Sequence, residues 1–120
     1  MIKKVAFTML HMTDVPRARK FYEETLGLQV GSHGSHGDNW WIEYDLPQGG
    51  CIGLSNFSKE TPSGKGSTLA LEVEDLDAII AHLSANGVAI KGDIVHGPHC
   101  RMAMCQDSEG NPLLLHQLNG

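Results

Sequence analysis

The sequence has few of the residues that would commit it to a disulfide framework, a thiolate metal site or a membrane span. Its three cysteines, Cys51, Cys100 and Cys105, are an odd number and include no CxxC pair, which argues against a disulfide scaffold and a zinc site. The apolar run after Lys3 and Lys4 is too short and too interrupted for a membrane span or a signal peptide. We therefore expect a soluble, cytoplasmic protein with reduced thiols.

Basic residues are also few, and the chain has no long run of like charge. Nine Lys and Arg stand against fourteen Asp and Glu, which gives a formal net charge of −5, and no run of like charge is longer than two residues. Nucleic acid is therefore not an expected partner, since its recognition needs a basic surface. With 120 residues, the chain has the length of one domain.

Two stretches have the pattern of a capped amphipathic helix. In the first, Asp14 can cap the helix and Gly27 suits the stop, and in the second Asp75 and Gly87 have the same roles. Pro16 suits the first turn of the first helix. The predicted apolar faces are Ala18, Phe21, Tyr22 and Leu26 in the first helix, and Leu76, Ile79, Ile80 and Leu83 in the second.

The two predicted helices belong to a repeat that spans half of the chain. Asp75 lies 61 residues after Asp14, and Gly87 lies 60 residues after Gly27. An alternating apolar stretch precedes each helix, VAFTMLHM in the first half and STLALEV in the second, and three more strand patterns follow each helix. These lie at about 28–34, 39–45 and 51–56, and at about 88–96, 100–106 and 112–118.

This order predicts an α+β fold built from two βαβββ modules within a single domain, residues 1–120. Module one takes about 1–57, a connection takes 58–66, and module two takes about 67–120. Two copies are too few for a stacked solenoid, which favours a domain with twofold pseudosymmetry.

Three stretches of this pattern resemble the vicinal oxygen chelate superfamily, which contains glyoxalase I, bleomycin resistance proteins, fosfomycin resistance proteins and extradiol dioxygenases. They are TDVPRARKFYEETLGL after the first strand, LALEVEDLDAIIAHLSANGV at mid-chain and DSEGNPLLLHQL near the end. The resemblance implies that eight strands form a curled mixed sheet, a cup, with the helices outside and a small-molecule ligand inside. It also implies a homodimer.

The resemblance further implies where a metal would be held, with up to four ligands on the first and last strands of the two modules. Those positions fall on Phe7 and Gly53 in module one and on Thr68 and Leu114 in module two. Phenylalanine, glycine and leucine have no side-chain donor, and one hydroxyl is a poor substitute for imidazole or carboxylate. We therefore expect the usual metal site to be absent and no cofactor to be bound.

Alternation along the strands predicts which side chains line the cup. Aromatic and thioether side chains there would suit a flat apolar ligand, but such residues also commonly fill a core, and both interpretations stay open. The candidates for ligand contact are Phe7, Met9, His11, Trp41, Glu72, Cys100, Met102, Met104 and His116.

Three of these candidates, His11, Glu72 and His116, are also candidates for a relocated catalytic site. Two histidines and a carboxylate can bind iron or zinc, and a histidine beside a glutamate can act as a general base. The alternative is that each is a hydrogen-bonded or hydrated residue at the rim of the cup.

The sequence therefore leaves three functions open. The first is a metal-free protein that binds, and in that way sequesters, an apolar or aromatic compound. The second is a lyase, isomerase or dioxygenase that uses the relocated site, with or without a divalent metal. The third is a structural or regulatory module whose cup is filled by its own side chains.

The remaining histidine and cysteine signals are weaker. Residues 31–38, GSHGSHGD, are predicted to be a hairpin loop in which His33 and His36 bind metal only adventitiously. Cys100 is next to Arg101, but adjacent strand residues point to opposite faces, so the guanidinium should not reach the thiol. His82 is predicted to be a packed or surface residue of the second helix. His96 and His99 flank Gly97 and Pro98 at a predicted turn and give only a weak metal signal.

Overall fold

The computed structural model describes residues 1–58, 60 and 62–119. The chain divides into two compact units, Met1–Pro62 and Ser63–Gly120, and each unit contains one βαβββ copy. The predicted α+β class with two such modules is confirmed. Within the predicted connection, residues 59 and 61 lie outside the described residues.

The first unit is a four-stranded mixed sheet with one helix. Its strand order is β1-β4-β3-β2, with β1 parallel to β4 and the other pairs antiparallel. The helix connects β1 to β2, whereas the strands from β2 to β4 follow one another through short turns, as antiparallel neighbours can. The elements are β1 Thr8–His11, α1 Val15–Arg19 with a π-helical continuation Lys20–Thr25, β2 Val30–His36, β3 Asn39–Asp45 and β4 Cys51–Ser55.

The second unit repeats this topology. Its strand order is β5-β8-β7-β6, with β5 parallel to β8 and the other pairs antiparallel. Neither sheet closes on itself, since each has two edge strands. The elements are β5 Leu69–Glu72, α2 Leu76–Ala85, β6 Lys91–His96, β7 Cys100–Gln106 and β8 Pro112–Leu118.

Both helix starts and both stops are those predicted. The side chains of Asp14 and Asp75 each accept a hydrogen bond from the backbone N–H three residues on, at 3.0 and 3.1 Å. Gly27 and Gly87 have φ angles of 72° and 80°, in the left-handed region that glycine adopts without strain.

The first helix departs from regular geometry in its second half, which the sequence pattern did not predict. The Leu26 N–H donates to the Phe21 carbonyl, five residues back, at 2.9 Å. Within this π-helical segment Tyr22 stacks on Tyr44 of β3, with ring centroids 5.8 Å apart and an interplanar angle of 17°. The wider turn therefore occurs where large aromatic rings lie between helix and sheet.

The core of each unit lies between its helix and one face of its sheet. Alternate strand residues are buried there, as the alternation of side chains along each strand predicted. We call the opposite side of each sheet the distal face. The buried strand residues on the helix side are Leu10, Ile42, Tyr44, Ile52 and Leu54 in the first unit, and Ala103, Cys105, Leu113 and Leu115 in the second.

The structure confirms the strand predicted at about 28–34 and corrects the overlapping loop predicted at residues 31–38. β2 continues to His36, paired with β3, and the turn is only Gly37 and Asp38. The prediction was wrong because Gly, Ser and His were taken as loop formers, whereas an exposed edge strand tolerates them when a partner strand supplies the hydrogen bonds. β1 and β5 are also shorter than predicted, so Phe7 and Thr68 precede their strands.

No helix within the described part of the chain is long and apolar enough to cross a membrane. Cys51, Cys100 and Cys105 are free thiols.

Candidate functional site

Strand register places several candidates in two matching rows on the distal faces, because directly opposed side chains lie on the same face of a sheet. The row in the first unit is His11, Ser55, Trp41 and Gly34. The row in the second unit is Glu72, His116, Met102 and Val95. Each residue of the second row lies 61 positions after its counterpart in the first. The duplication therefore extends to the distal faces, although the side chains differ.

The positions where the family resemblance implied a metal in the first unit are occupied by apolar atoms. A methyl group added at the buried Gly53 would lie 3.2 Å from Cε and 3.3 Å from Sδ of Met9, and 3.5 Å from Cδ2 of Phe7. The Met9 thioether and the Phe7 ring therefore take the space that a ligating side chain would need. Phe7 itself is 44% exposed, so part of its ring is accessible. This set does not fit a divalent metal.

The corresponding positions in the second unit have few side-chain groups that could bind a metal ion. Leu114 lies on the distal face in register with Ala70 and Met104, and Thr68 is exposed just before β5. Within either unit, the described residues contain no group of three or more His, Cys, Asp or Glu side chains that could hold a metal ion.

Trp41 lies against the backbone of Gly34 on the distal face. A methyl group at Gly34 would be 2.5 Å from Cζ2, 2.7 Å from Cη2 and 3.0 Å from Cε2 of the indole. Only glycine therefore allows this ring position. Trp41 is half-buried, so the indole presents both a packed side and an accessible side. Its neighbour Trp40 lies on the helix side of the sheet by strand alternation.

Glu72 and His116 come together across the parallel strands β5 and β8. Nδ1 of His116 is 2.6 Å from Oε1 of Glu72, and the Leu118 N–H donates to Oε2 of Glu72 at 2.8 Å. The hydrogen bond from His116, and after it that from Leu118, hold the pKa of the Glu72 carboxyl below its usual range. The pair is therefore a carboxylate-oriented imidazole. His11 lies in the first unit, and its convergence with this pair stays a prediction.

Cys100, Met102 and Met104 all lie on the distal face of β7. A methyl group at Gly97 would be 2.8 Å from Sγ of Cys100, so this thiol packs against the β6–β7 turn. Arg101 points to the opposite face, where it donates to Oδ1 of Asp77 at 3.0 Å. The guanidinium is thus directed away from the thiol, as expected from strand alternation.

Burial works against the reactivity of the other two thiols. Desolvation is the main cause that raises the pKa of both Cys51 and Cys105, and nearby Asp45 adds to the effect on Cys51.

The histidines in β2 do not form a chelating pair. His33 and His36 are three residues apart in a stretch whose register with β3 is continuous, from His33 opposite Ile42 to His36 opposite Asn39. Residues three apart in a strand point to opposite faces, so the two rings cannot share one ion without a change in the strand. His96 and His99 flank the β6–β7 turn, as predicted, and His82 is exposed on α2.

A polar cluster in the first unit lies on the helix side and is structural. The buried Tyr44 hydroxyl donates to Oε2 of Glu23 at 2.9 Å, and Nε of Arg19 donates to the same oxygen at 2.7 Å. The Arg19 bond is the main cause that lowers the pKa of Glu23, whereas burial, and then the bond to Glu23, raise the pKa of Tyr44. The cluster satisfies the one polar atom of a large buried ring.

Sequence reasoning missed Gly34 and Ser55. Ser55 is 1% exposed and lies between His11 and Trp41 in the first row. It could have been found from its spacing, since it lies 61 residues before His116. Nothing in the sequence alone distinguishes Gly34 from the other glycines of its strand.

Solved structures of similar fold include two from Streptomyces sp. CB03234. One is TnmS3, an antibiotic binding protein, which is 28% identical with a TM-score of 0.82 over 98% of this chain and 97% of that chain. The other is a glyoxalase/bleomycin resistance protein, 30% identical with a TM-score of 0.76 over 92% of this chain and 97% of that chain.

A third similar structure is the fosfomycin resistance protein FosX of Listeria monocytogenes, 16% identical with a TM-score of 0.78 over 98% of this chain and 94% of that chain, a likeness of fold alone. None of the curated protein sequences matches this chain. The sequence profile of the Glyoxalase/Bleomycin resistance protein/Dioxygenase superfamily matches residues 4–115, and the chain belongs to that superfamily.

Proposed function

We propose that the protein binds a small, flat, apolar or aromatic molecule on the distal face of a unit without a metal, and that binding, and thereby sequestration, is its function. The observation that carries this proposal is the filling of the Gly53 position by Met9 and Phe7, on the same face of the sheet as the half-buried Trp41 ring. Aromatic and thioether groups give contact area to a ring system without requiring a fixed polar partner. The likeness to an antibiotic binding protein, TnmS3, supports the same mode of action.

The test uses prodan, an uncharged naphthalene dye whose emission shifts when it leaves water, in buffer with and without EDTA. We expect wild type to bind prodan and Gly34→Ala to bind it between about twofold and tenfold more weakly, because the added methyl displaces Trp41. Gly66→Ala is the matched control, since a methyl group there meets no atom within 4 Å. Failure of wild type to bind, loss of binding with EDTA, or equal affinities for wild type and Gly34→Ala would contradict the proposal.

A second candidate function is a lyase, isomerase or dioxygenase that uses a relocated His/Glu site, and the contact between His116 and Glu72 favours it. Glu72 would orient the imidazole, and His116 would accept a proton from a substrate. On any compound that the protein turns over, His116→Ala should then lower kcat by about 10²–10⁴-fold. Unchanged turnover in that variant would exclude His116 as the base.

We further propose that the protein is a cytoplasmic homodimer. The family resemblance supports the dimer, and three unpaired thiols support a reducing compartment. Light scattering should then give twice the 13.0 kDa mass of one chain, and a mass of 13.0 kDa would contradict the dimer.

A further inference from the structure

The hydrogen bonds of Glu72 fix the tautomer of His116. An ionised carboxylate only accepts, so Nδ1 of His116, 2.6 Å from Oε1 of Glu72, must carry the proton in this contact. The second carboxylate oxygen accepts from the Leu118 N–H at 2.8 Å, which holds the carboxylate in place. In the neutral ring Nε2 is then an acceptor. Among the described residues, Glu72 is the one hydrogen-bond partner of this ring.

Apolar side chains border this acceptor on the distal face of the second unit. Met102 is directly opposite His116 on β7. The next row on the same face is Ala70, Leu114 and Met104, two residues along each strand and so about 7 Å away. A flat apolar body with one polar end therefore matches the order of these side chains. His116 is 26% exposed, so a ligand can reach it.

We propose that His116, positioned by Glu72, selects ligands with an aromatic hydroxyl at the end of a flat ring system of about two fused rings. The hydroxyl donates to Nε2, and the rings lie on Met102, Leu114 and Met104. An ether of the same shape cannot donate and leaves Nε2 desolvated and unpaired, which costs affinity. A carboxylate at that end would meet the charge of Glu72. This inference rests on the proposed binding function and names the ligand class for the distal face of the second unit.

The variant Glu72→Gln should reverse the preference without changing the size of the side chain. Its amide has one acceptor oxygen and one NH₂ donor. If the oxygen keeps the bond from the Leu118 N–H, the NH₂ group faces Nδ1 of His116, which must then accept. The proton moves to Nε2, and the ring presents a donor to the ligand. Glu72 would thus act as a positioning residue whose effect is visible in the tautomer of another side chain.

The experiment measures affinities for three probes by calorimetry: 2-naphthol, 2-methoxynaphthalene and 2-acetylnaphthalene. We expect wild type to bind 2-naphthol about tenfold more tightly than the ether. Glu72→Gln should lose this preference and favour 2-acetylnaphthalene, a carbonyl acceptor. Long-range ¹⁵N–¹H NMR of the His116 ring should show the proton on Nδ1 in wild type and on Nε2 in the variant. Glu74→Gln, an exposed carboxylate two residues away, should behave as wild type in both measurements.

The outcomes separate this inference from the proposed function. If no probe binds to wild type, both are overturned. If the ether and the naphthol bind equally well, or if the naphthol preference survives in Glu72→Gln with the proton on Nε2, the inference fails and the binding function stands. Should Glu72→Gln not fold, His116→Phe decides: loss of the naphthol preference with the ether still bound supports the inference, and a retained preference overturns it.

Discussion

The two units have the same topology but fill the space between helix and sheet with side chains of different size. Tyr44 in the first unit corresponds to Cys105 in the second, and Tyr22 corresponds to Leu83, each pair 61 residues apart. All four are buried, yet only the first unit stacks two rings there. The first unit also has the π-helical segment and the acceptor Glu23. A duplicated fold thus preserves its strand register while its cores diverge, as long as each buried polar atom is satisfied.

The distal faces diverge in a way that bears on function. The first unit contributes apolar contact, with Phe7 and Met9 over Gly53 and with Trp41 over Gly34. The second contributes a directional group, with Glu72 and His116 at the positions that His11 and Ser55 occupy in the first. In our account the first distal face offers apolar area, whereas the second combines apolar side chains of its own with a directional polar group.

The turn before the last strand also differs between the units: it is buried and hydrogen-bonded in the second unit and exposed in the first. In the second unit Asp107 is 6% exposed and accepts from the N–H groups of Glu109 and Asn111, each at 2.8 Å. In the first unit the corresponding turn contains Pro47 and Gln48, and both are exposed.

The largest change in the free energy of unfolding should come from a substitution that makes the core of the first unit resemble that of the second. Tyr44→Cys removes a fully buried ring and leaves Glu23 without the hydroxyl, so we expect the free energy of unfolding to fall by about 3–5 kcal/mol. The matched change Cys105→Ala removes one buried atom and should cost about 1 kcal/mol. Urea denaturation measures both. Equal losses would mean that the two cores contribute alike.

A smaller effect should follow from Asp107→Ala in the second turn. The change leaves buried N–H groups without their acceptor, and the expected loss is about 2–3 kcal/mol of unfolding free energy. Gln48→Ala, at an exposed position of the corresponding turn, should stay within about 0.5 kcal/mol of wild type. If both variants lose the same amount, the contrast between the turns has no energetic basis.

The smallest expected effect is a loss of folding stability at alkaline pH. Burial raises the pKa of Tyr44, so the folded state keeps the hydroxyl proton at a pH where the unfolded state loses it. Stability should therefore be unaffected below about pH 10 and should fall above it, by up to about 1.4 kcal/mol per pH unit for this group. Tyr44→Phe should be about 1 kcal/mol less stable near neutral pH, and its deficit should shrink above pH 10. A constant deficit would show that Tyr44 does not cause the alkaline loss.

The secondary structure that follows from local pattern was predictable. Asp14 and Asp75 act as caps because a short acceptor before an apolar face suits that position, and the 61-residue spacing identified the repeat. The π-helical segment was not predictable, because it accompanies a stack between Tyr22 and a residue 22 positions away. The extension of β2 to His36 was missed because β pairing, not composition, holds its last residues in the strand.

The candidate site was predictable in part. The alternation of side chains along the strands predicted that Glu72 and His116 lie on one face. Only the register of β5 with β8 makes them direct neighbours. The same alternation separated Arg101 from Cys100. The packing of Trp41 on Gly34 depends on a side-chain conformation, about which spacing says nothing.

The central claim, that the distal face of a unit binds its ligand without a metal, is tested most directly by metal content. Plasma mass spectrometry would be applied to untagged protein, purified without chelators, and to the variant His33→Ala with His36→Ala. We expect no near-stoichiometric metal in wild type, and any trace to vanish with the two histidines. Near-stoichiometric iron, zinc or manganese that survives the double substitution would contradict the account and favour the enzyme that uses His116 and Glu72.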